Sequence, residues 1–147
     1  MASAARLSTN AQTATPRIRA LVVNDSPKSI ADISSILEQD ERVDVVATAL
    51  DGVVALRTAL THSPDLIVID MDTAYLSGIE TTALLKQRLP QAKVIIVCTD
   101  EASAGEACAD EDRAMALDAV GFGADAFLPS HRLSAECGSQ LIRLFPA

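Results

Sequence analysis

From about Arg19 onward the chain alternates two periods of hydrophobicity, and the alternation predicts its elements. Leu21-Val22-Val23, Val43 to Ala47, Leu66 to Ile69 and Val94 to Cys98 are short, mostly β-branched runs, apolar at consecutive positions. Strands of a parallel sheet covered on both faces need that pattern, because neither face meets water. Ala124 to Leu128 is a weaker fifth run. Between the runs, apolar residues recur at helical spacing: Ile30, Ile33, Ile36 and Leu37, then Val53, Leu56, Ala59 and Leu60, then Ile79, Ala83 and Leu84. Met115, Leu117, Ala119 and Val120 predict a fourth helix ending at Gly121, and Leu133 to Leu144 a fifth. Ser26-Pro27 offers an N-cap followed by proline at the first helical position, Asp51 stands before the second helix, and Pro64 and Pro90 close the second and third. Five β-α units predict an α/β fold, a doubly wound five-stranded parallel sheet, in which ligands bind outside the carboxyl ends of the strands.

Polar residues collect at those ends. The first strand runs into Asn24-Asp25, the third into Asp70 and then Asp72, the fourth into Thr99-Asp100, and the fifth into Pro129-Ser130-His131. A parallel order brings several carboxylates to one edge of the sheet. Two carboxylates about 4 Å apart repel by roughly 4 kcal/mol at an effective dielectric of 20, so one takes a proton or a cation lies between them. Mg²⁺, a hard ion that prefers oxygen, relieves the repulsion. A carboxylate beside such an ion can also attack a phosphoryl group, with the Thr99 hydroxyl placed to hydrogen-bond it. Taken singly, each element has a plainer reading. Asn24-Asp25 fits a strand end that caps a helix, Asp70 and Asp72 fit solvated turn residues, and Gly78 fits a backbone hinge. Their joint placement favours the cradle.

Length and charge narrow the function. At 147 residues the chain has the size of one domain, and its 49% apolar and 22% charged content is globular. No apolar run approaches the roughly 18 residues that span a bilayer. The net charge of -8 repels a phosphate backbone and no basic cluster offsets it, which argues against nucleic-acid binding by this chain. Cys98, Cys108 and Cys137 are odd in number and lack metal-ligand spacing, so a reducing, cytoplasmic compartment is expected. Residues 1–17, MASAARLSTNAQTATPR, are rich in Ala, Ser and Thr and read as a disordered tail ahead of a single domain over 18–147.

The strand-end segments together resemble the receiver domain of bacterial response regulators, over about Arg19 to Leu144. LVVNDSP resembles the family's first-strand acidic pair, and LIVIDMDTAYLSGIE its phosphoacceptor strand, with glycine eight residues after the aspartate. VIIVCT is similar to its fourth strand ending in Ser or Thr, and GADAFLPS to its fifth. PDLIVIDMDTAYLSGIETTALLKQRLPQAKVIIV is most similar to the subgroup that usually carries a helix-turn-helix output domain. The resemblance implies a flavodoxin-like (βα)5 fold with strand order 2-1-3-4-5. It implies that Asp70 accepts a phosphoryl group from a histidine kinase or phosphotransfer protein. It further implies Mg²⁺ held by Asp25, Asp70 and the backbone carbonyl of Asp72, with Asn24 a weak outer-shell contributor. Thr99 would turn toward the acyl phosphate and Phe127, the switch aromatic, would turn inward with it. The expected role is regulatory, not enzymatic.

Three positions depart from the family pattern. Asn24 replaces the first acid, Ser130 stands where the family has the lysine that pairs with phosphoryl oxygens, and Ala74 replaces proline. His131 and Arg132 follow immediately and read as solvated surface residues. The segment Asp100 to Asp112 carries six acids without a base and reads as a disordered insertion. With fifteen residues after Arg132, no output domain is expected, and signalling would run through a downstream protein target or a homodimer. The departures keep a second function open, a degenerate receiver that serves as a phosphorylation-independent interaction module. A third, a phosphohydrolase of the haloacid-dehalogenase type suggested by DMDT at Asp70 to Thr73, lacks that family's downstream lysine and acidic pair. His62 and His131 lie in no phosphotransfer context, and no glycine-rich nucleotide loop is present.

Overall fold

The computed structural model describes residues 17–71, 77–98 and 123–146. The tail up to residue 16, the acidic stretch 100–112 and the helix expected at Met115 to Val120 lie outside the described residues. Five strands, β1 (Ile18–Val23), β2 (Val43–Ala49), β3 (Leu66–Asp70), β4 (Lys93–Cys98) and β5 (Ala126–Pro129), make one sheet in the order β2-β1-β3-β4-β5. All four pairings are parallel. Order and direction of pairing are therefore those expected of the flavodoxin-like arrangement. The described helices are α1 (Pro27–Leu37), α2 (Gly52–His62), α3 (Gly78–Arg88) and α4 (Ser130–Leu144). None of them is long and apolar enough to cross a membrane.

The consecutive apolar residues of the strands divide between two cores. Ile18, Ala20, Val22, Leu66, Val68, Ile95, Val97, Ala126 and Leu128 face α1 and α4, meeting Ile33, Leu37, Leu133, Leu141 and Leu144. Leu21, Val23, Ile67, Ile69, Val94 and Ile96 face α2 and α3, meeting Ala55, Ala59 and Leu85. Alternation along each strand sends neighbours to opposite faces, and both faces are dry, which is why the strands look continuous in sequence. In the edge strand β2 the register slips, with Ala20 opposite Val45 and Leu21 opposite Ala47. Val46 is the extra residue of a bulge, a common device at sheet edges.

Helix starts follow the capping signals. Ser26 accepts from Ser29 N at 3.3 Å, with Pro27 in the first turn, and Asp51 Oδ1 accepts from Val54 N at 2.8 Å. Two boundaries differ from expectation. β5 begins at Ala126 and not Ala124, because Gly123 adopts φ 110° and Asp125 is turned to bond the start of β4. α4 begins at Ser130, directly after β5 and without a side-chain cap, and not at Leu133.

The amino edge of the sheet is tied together by two aspartates in matching positions. Asp65, just before β3, accepts Arg19 N on Oδ2 at 2.9 Å, donates its own N–H to Arg19 O at 2.8 Å and accepts Lys93 N on its carbonyl at 2.9 Å. Asp125, just before β5, donates to Val94 O at 2.8 Å while its Oδ2 accepts Val94 N at 2.9 Å and Lys86 Nζ at 3.0 Å. Arg143 Nη2 donates to the Asp125 carbonyl at 2.8 Å. Arg19 Nη1 donates to the carbonyls of His62 and Ser63 at the end of α2, where the helix dipole favours a cation.

Candidate functional site

At the opposite, carboxyl edge, the ladder carries β1 and β3 past their last strand residues. Asn24 N donates to Ala49 O at 3.1 Å and Met71 N donates to Val97 O at 2.9 Å. Val23 pairs with Ile69, so the next step of the parallel register sets Asn24 beside Asp70. Alternation places both on the side of the sheet occupied by α1 and α4, in line with Val22 and Val68. Both side chains are buried, Asn24 at 2% exposure and Asp70 at 3%, the only carboxylate among the described residues buried to that degree. Asp25 follows and is exposed. The first and third strands thus bring residues 24, 25 and 70 to one edge.

Asn24 is oriented by its own turn. Ser26 N donates to Asn24 Oδ1 at 2.9 Å, an Asx turn that leads into α1, and this assigns oxygen and nitrogen of the amide. Asn24 Nδ2 is then buried with no hydrogen-bond partner among the described residues. Leaving such a group unsatisfied costs about 1–3 kcal/mol.

Gly78, eight residues after Asp70, is required for steric reasons. A Cβ there would sit 2.7 Å from Asp70 O and 2.8 Å from Met71 Cα, both backbone atoms. Gly78 N also donates to Met71 O at 2.8 Å, which ties the start of α3 to the end of β3. A capping box follows, with Ser77 Oγ accepting Glu80 N and Glu80 Oε1 accepting Ser77 N, each at 3.1 Å. The acidic first turn and the basic residues Lys86 and Arg88 in the last complement the helix dipole. The sequence marked Gly78 as a hinge and as the glycine of the phosphoacceptor segment; the observed role is close approach of helix α3 to the backbone of Asp70.

The remaining expected residues divide. Asp72, Ala74 and Thr99 lie outside the described residues. Ser130 is the first residue of α4, and Phe127 is half-buried against the core under α2 and α3. Among the described residues no three His, Cys, Asp or Glu side chains group as metal ligands. As donors for a hard cation, this edge offers among the described residues the carboxylates of Asp25 and Asp70, and the expected Asp72 carbonyl lies outside them. Asn24 fits that set poorly. Waters held by Mg²⁺ present hydrogens outward and seek acceptors, whereas the face Asn24 leaves open carries donors.

Two displaced titrations lie at the turn after α1 and on the facing helix α4. The side-chain hydrogen bond from Arg42 holds the Asp40 carboxyl below its ordinary value. Burial, helped by the Asp40 charge, pushes the Cys137 thiol up to about 11. An open cavity of about 390 Å³ lined by Ser63, Asp65, Arg88, Leu89, Gln91 and Phe145 sits at the amino edge, away from Asp70.

Comparison with known proteins places these features. The model of the response regulator receiver domain matches residues 20–129. A protein-glutamate methylesterase/protein-glutamine glutaminase of Halalkalibacterium halodurans is 38% identical over 106 residues, 72% of this chain and 30% of that protein. The chain spans about three-tenths of the length of such curated relatives. The response regulator domain of Thermotoga maritima CheB superposes with a TM-score of 0.73 at 25% identity, covering 89% of this chain and 98% of that one. A LuxR-family two-component response regulator from Aurantimonas superposes with a TM-score of 0.72 at 25% identity, covering 84% and 81%.

Proposed function

The chain belongs to the response regulator receiver domain family, and on that premise we propose that Asp70 is its phosphoacceptor in two-component signalling. A carboxylate oxygen of Asp70 forms a bond to phosphorus as the P–N bond of a phosphohistidine breaks. The bonding pair goes to the imidazole nitrogen of the donor, a histidine kinase or phosphotransfer protein, which takes a proton from water. What supports the reading is the burial of Asp70 at the carboxyl end of the central strand, beside Asn24 and against the Gly78 contact, within the matched region.

Asp25, Asp70 and the backbone carbonyl of Asp72 are the residues that would hold Mg²⁺, which when bound offsets the negative charge of the incoming phosphoryl oxygens. Asp25, exposed at the rim, keeps a second carboxylate within the same edge without burying it. Thr99 supplies a hydroxyl to the phosphoryl group, and Phe127, half-buried within β5, is the aromatic whose packing answers to it. One local charge then shifts the population of a protein-binding surface on the side of β5. The signal passes to a downstream protein or a second copy in the cytoplasm. In a longer protein resembling the methylesterases, the same surface would act on the remaining chain.

A second reading has a specific observation behind it. Ser130 occupies the position of the family's lysine, so the chain lacks the cation that otherwise meets the phosphoryl oxygens, as a phosphorylation-independent interaction module would. Incubation with Mg²⁺ and acetyl phosphate, followed by intact mass measurement, separates the two. One phosphoryl adduct, lost in Asp70→Asn, is the expected result; no adduct at millimolar Mg²⁺ leaves the interaction module.

A further inference from the structure

The open donor face of Asn24 is the feature of the carboxyl edge that metal binding does not use. The amide oxygen is held by Ser26 N at 2.9 Å, so Nδ2 and its two hydrogens are aimed away from that turn. They are buried with the rest of the side chain at 2% exposure and meet no acceptor among the described residues. The register sets residue 24 beside Asp70, where the phosphoryl group would be attached. A phosphoryl group brings acceptor oxygens, and a preorganised N–H donor in a dry site is suited to charge that arrives there.

We propose that Asn24 is a phosphoryl-binding residue, its Nδ2 donating to a phosphoryl oxygen at Asp70 in the role left vacant where Ser130 replaces the family's cation. The inference rests on the reading of Asp70 as acceptor. An acid at position 24 would bind the divalent ion and repel the anion. An amide at the same position gives up charge at the metal and gains a hydrogen bond to the phosphate. The site thereby trades Mg²⁺ affinity for direct contact with the transferred group.

The test measures the rate of adduct formation from acetyl phosphate against Mg²⁺ concentration, by intact mass, for the full chain and two variants. Calorimetry of Mg²⁺ binding to the unphosphorylated proteins gives a second readout. Asn24→Ala should lower the rate at saturating Mg²⁺ about tenfold, the loss of one charge-assisted hydrogen bond, while leaving Mg²⁺ affinity within about twofold. Asn24→Asp keeps the oxygen that accepts from Ser26 N and so preserves the turn. It should tighten Mg²⁺ binding about tenfold without exceeding the parent rate at saturation. An Asn24→Ala protein whose saturating rate is unchanged, or an Asn24→Asp protein several-fold faster than the parent, would overturn the proposal, since the site would then want an acid. If the unaltered chain forms no adduct, the reading of Asp70 falls first and this inference with it. An adduct that forms regardless of residue 24 removes the inference alone.

Discussion

The two edges of one sheet are built on opposite terms. At the amino edge Asp65 Oδ2 and Asp125 Oδ2 each accept a backbone N–H, and Asp125 also meets Lys86. At the carboxyl edge an amide is buried with no acceptor for its Nδ2 among the described residues, beside a buried carboxylate. Polar groups that close strand ends serve stability when their bonds are complete, and incomplete ones mark a place where a ligand finishes the set. The comparison teaches that a polar residue at a strand boundary has no fixed meaning: Asp65 and Asp125 join the fold through their bonds, whereas Asn24 keeps a donor that no described residue uses.

Substitutions should divide along the same line. The largest effect is expected for Asp70→Asn, which should abolish the acetyl phosphate adduct while the protein still unfolds cooperatively in denaturant. Its amino-edge counterpart, Asp125→Ala, should do the reverse. Loss of the acceptor for Lys86 and Val94 N should lower unfolding free energy by about 2–3 kcal/mol in urea titration, with the adduct rate unchanged. Gly78→Ala should register at both, because the new methyl presses on Asp70 O and Met71 Cα. A cost of about 1–3 kcal/mol and a slowed adduct rate are expected.

The smallest effect concerns Cys137, whose thiol near Asp40 is raised from the ordinary 9.0 to about 11. The native state holds this proton more tightly than the unfolded chain. The stabilisation is therefore full below about pH 9 and is lost as pH rises through about 11. Unfolding midpoints measured across that window should fall less steeply in Cys137→Ala than in the parent.

Much of the fold was legible in the sequence. The apolar runs at Leu21, Val43, Leu66 and Val94 were found because strands dry on both faces are continuous in composition, and Ser26 and Asp51 announced helix starts by capping chemistry. The start of β5 was set too early because Ala124 is apolar and buried yet belongs to a turn held by Gly123 and Asp125, a tertiary arrangement with no local period. The bulge at Val46 and the ties of Asp65 and Asp125 escaped for the same reason, since each depends on a strand distant in sequence. At the site, Asn24, Asp25 and Asp70 were legible from their places at strand ends, and the structure sets them at one edge. The direction of the Asn24 amide was not, because composition does not say which of its two polar atoms the turn engages. An Asn two residues before a helix N-cap serine was the available signal.

The account depends on where the phosphoryl group is attached. Borohydride reduction of the acyl phosphate converts the modified aspartate to homoserine, which peptide mass mapping locates. Homoserine at position 70 is the result expected from the buried carboxylate at the end of β3. Homoserine at Asp25, or phosphate retained on His62 or His131, would contradict it.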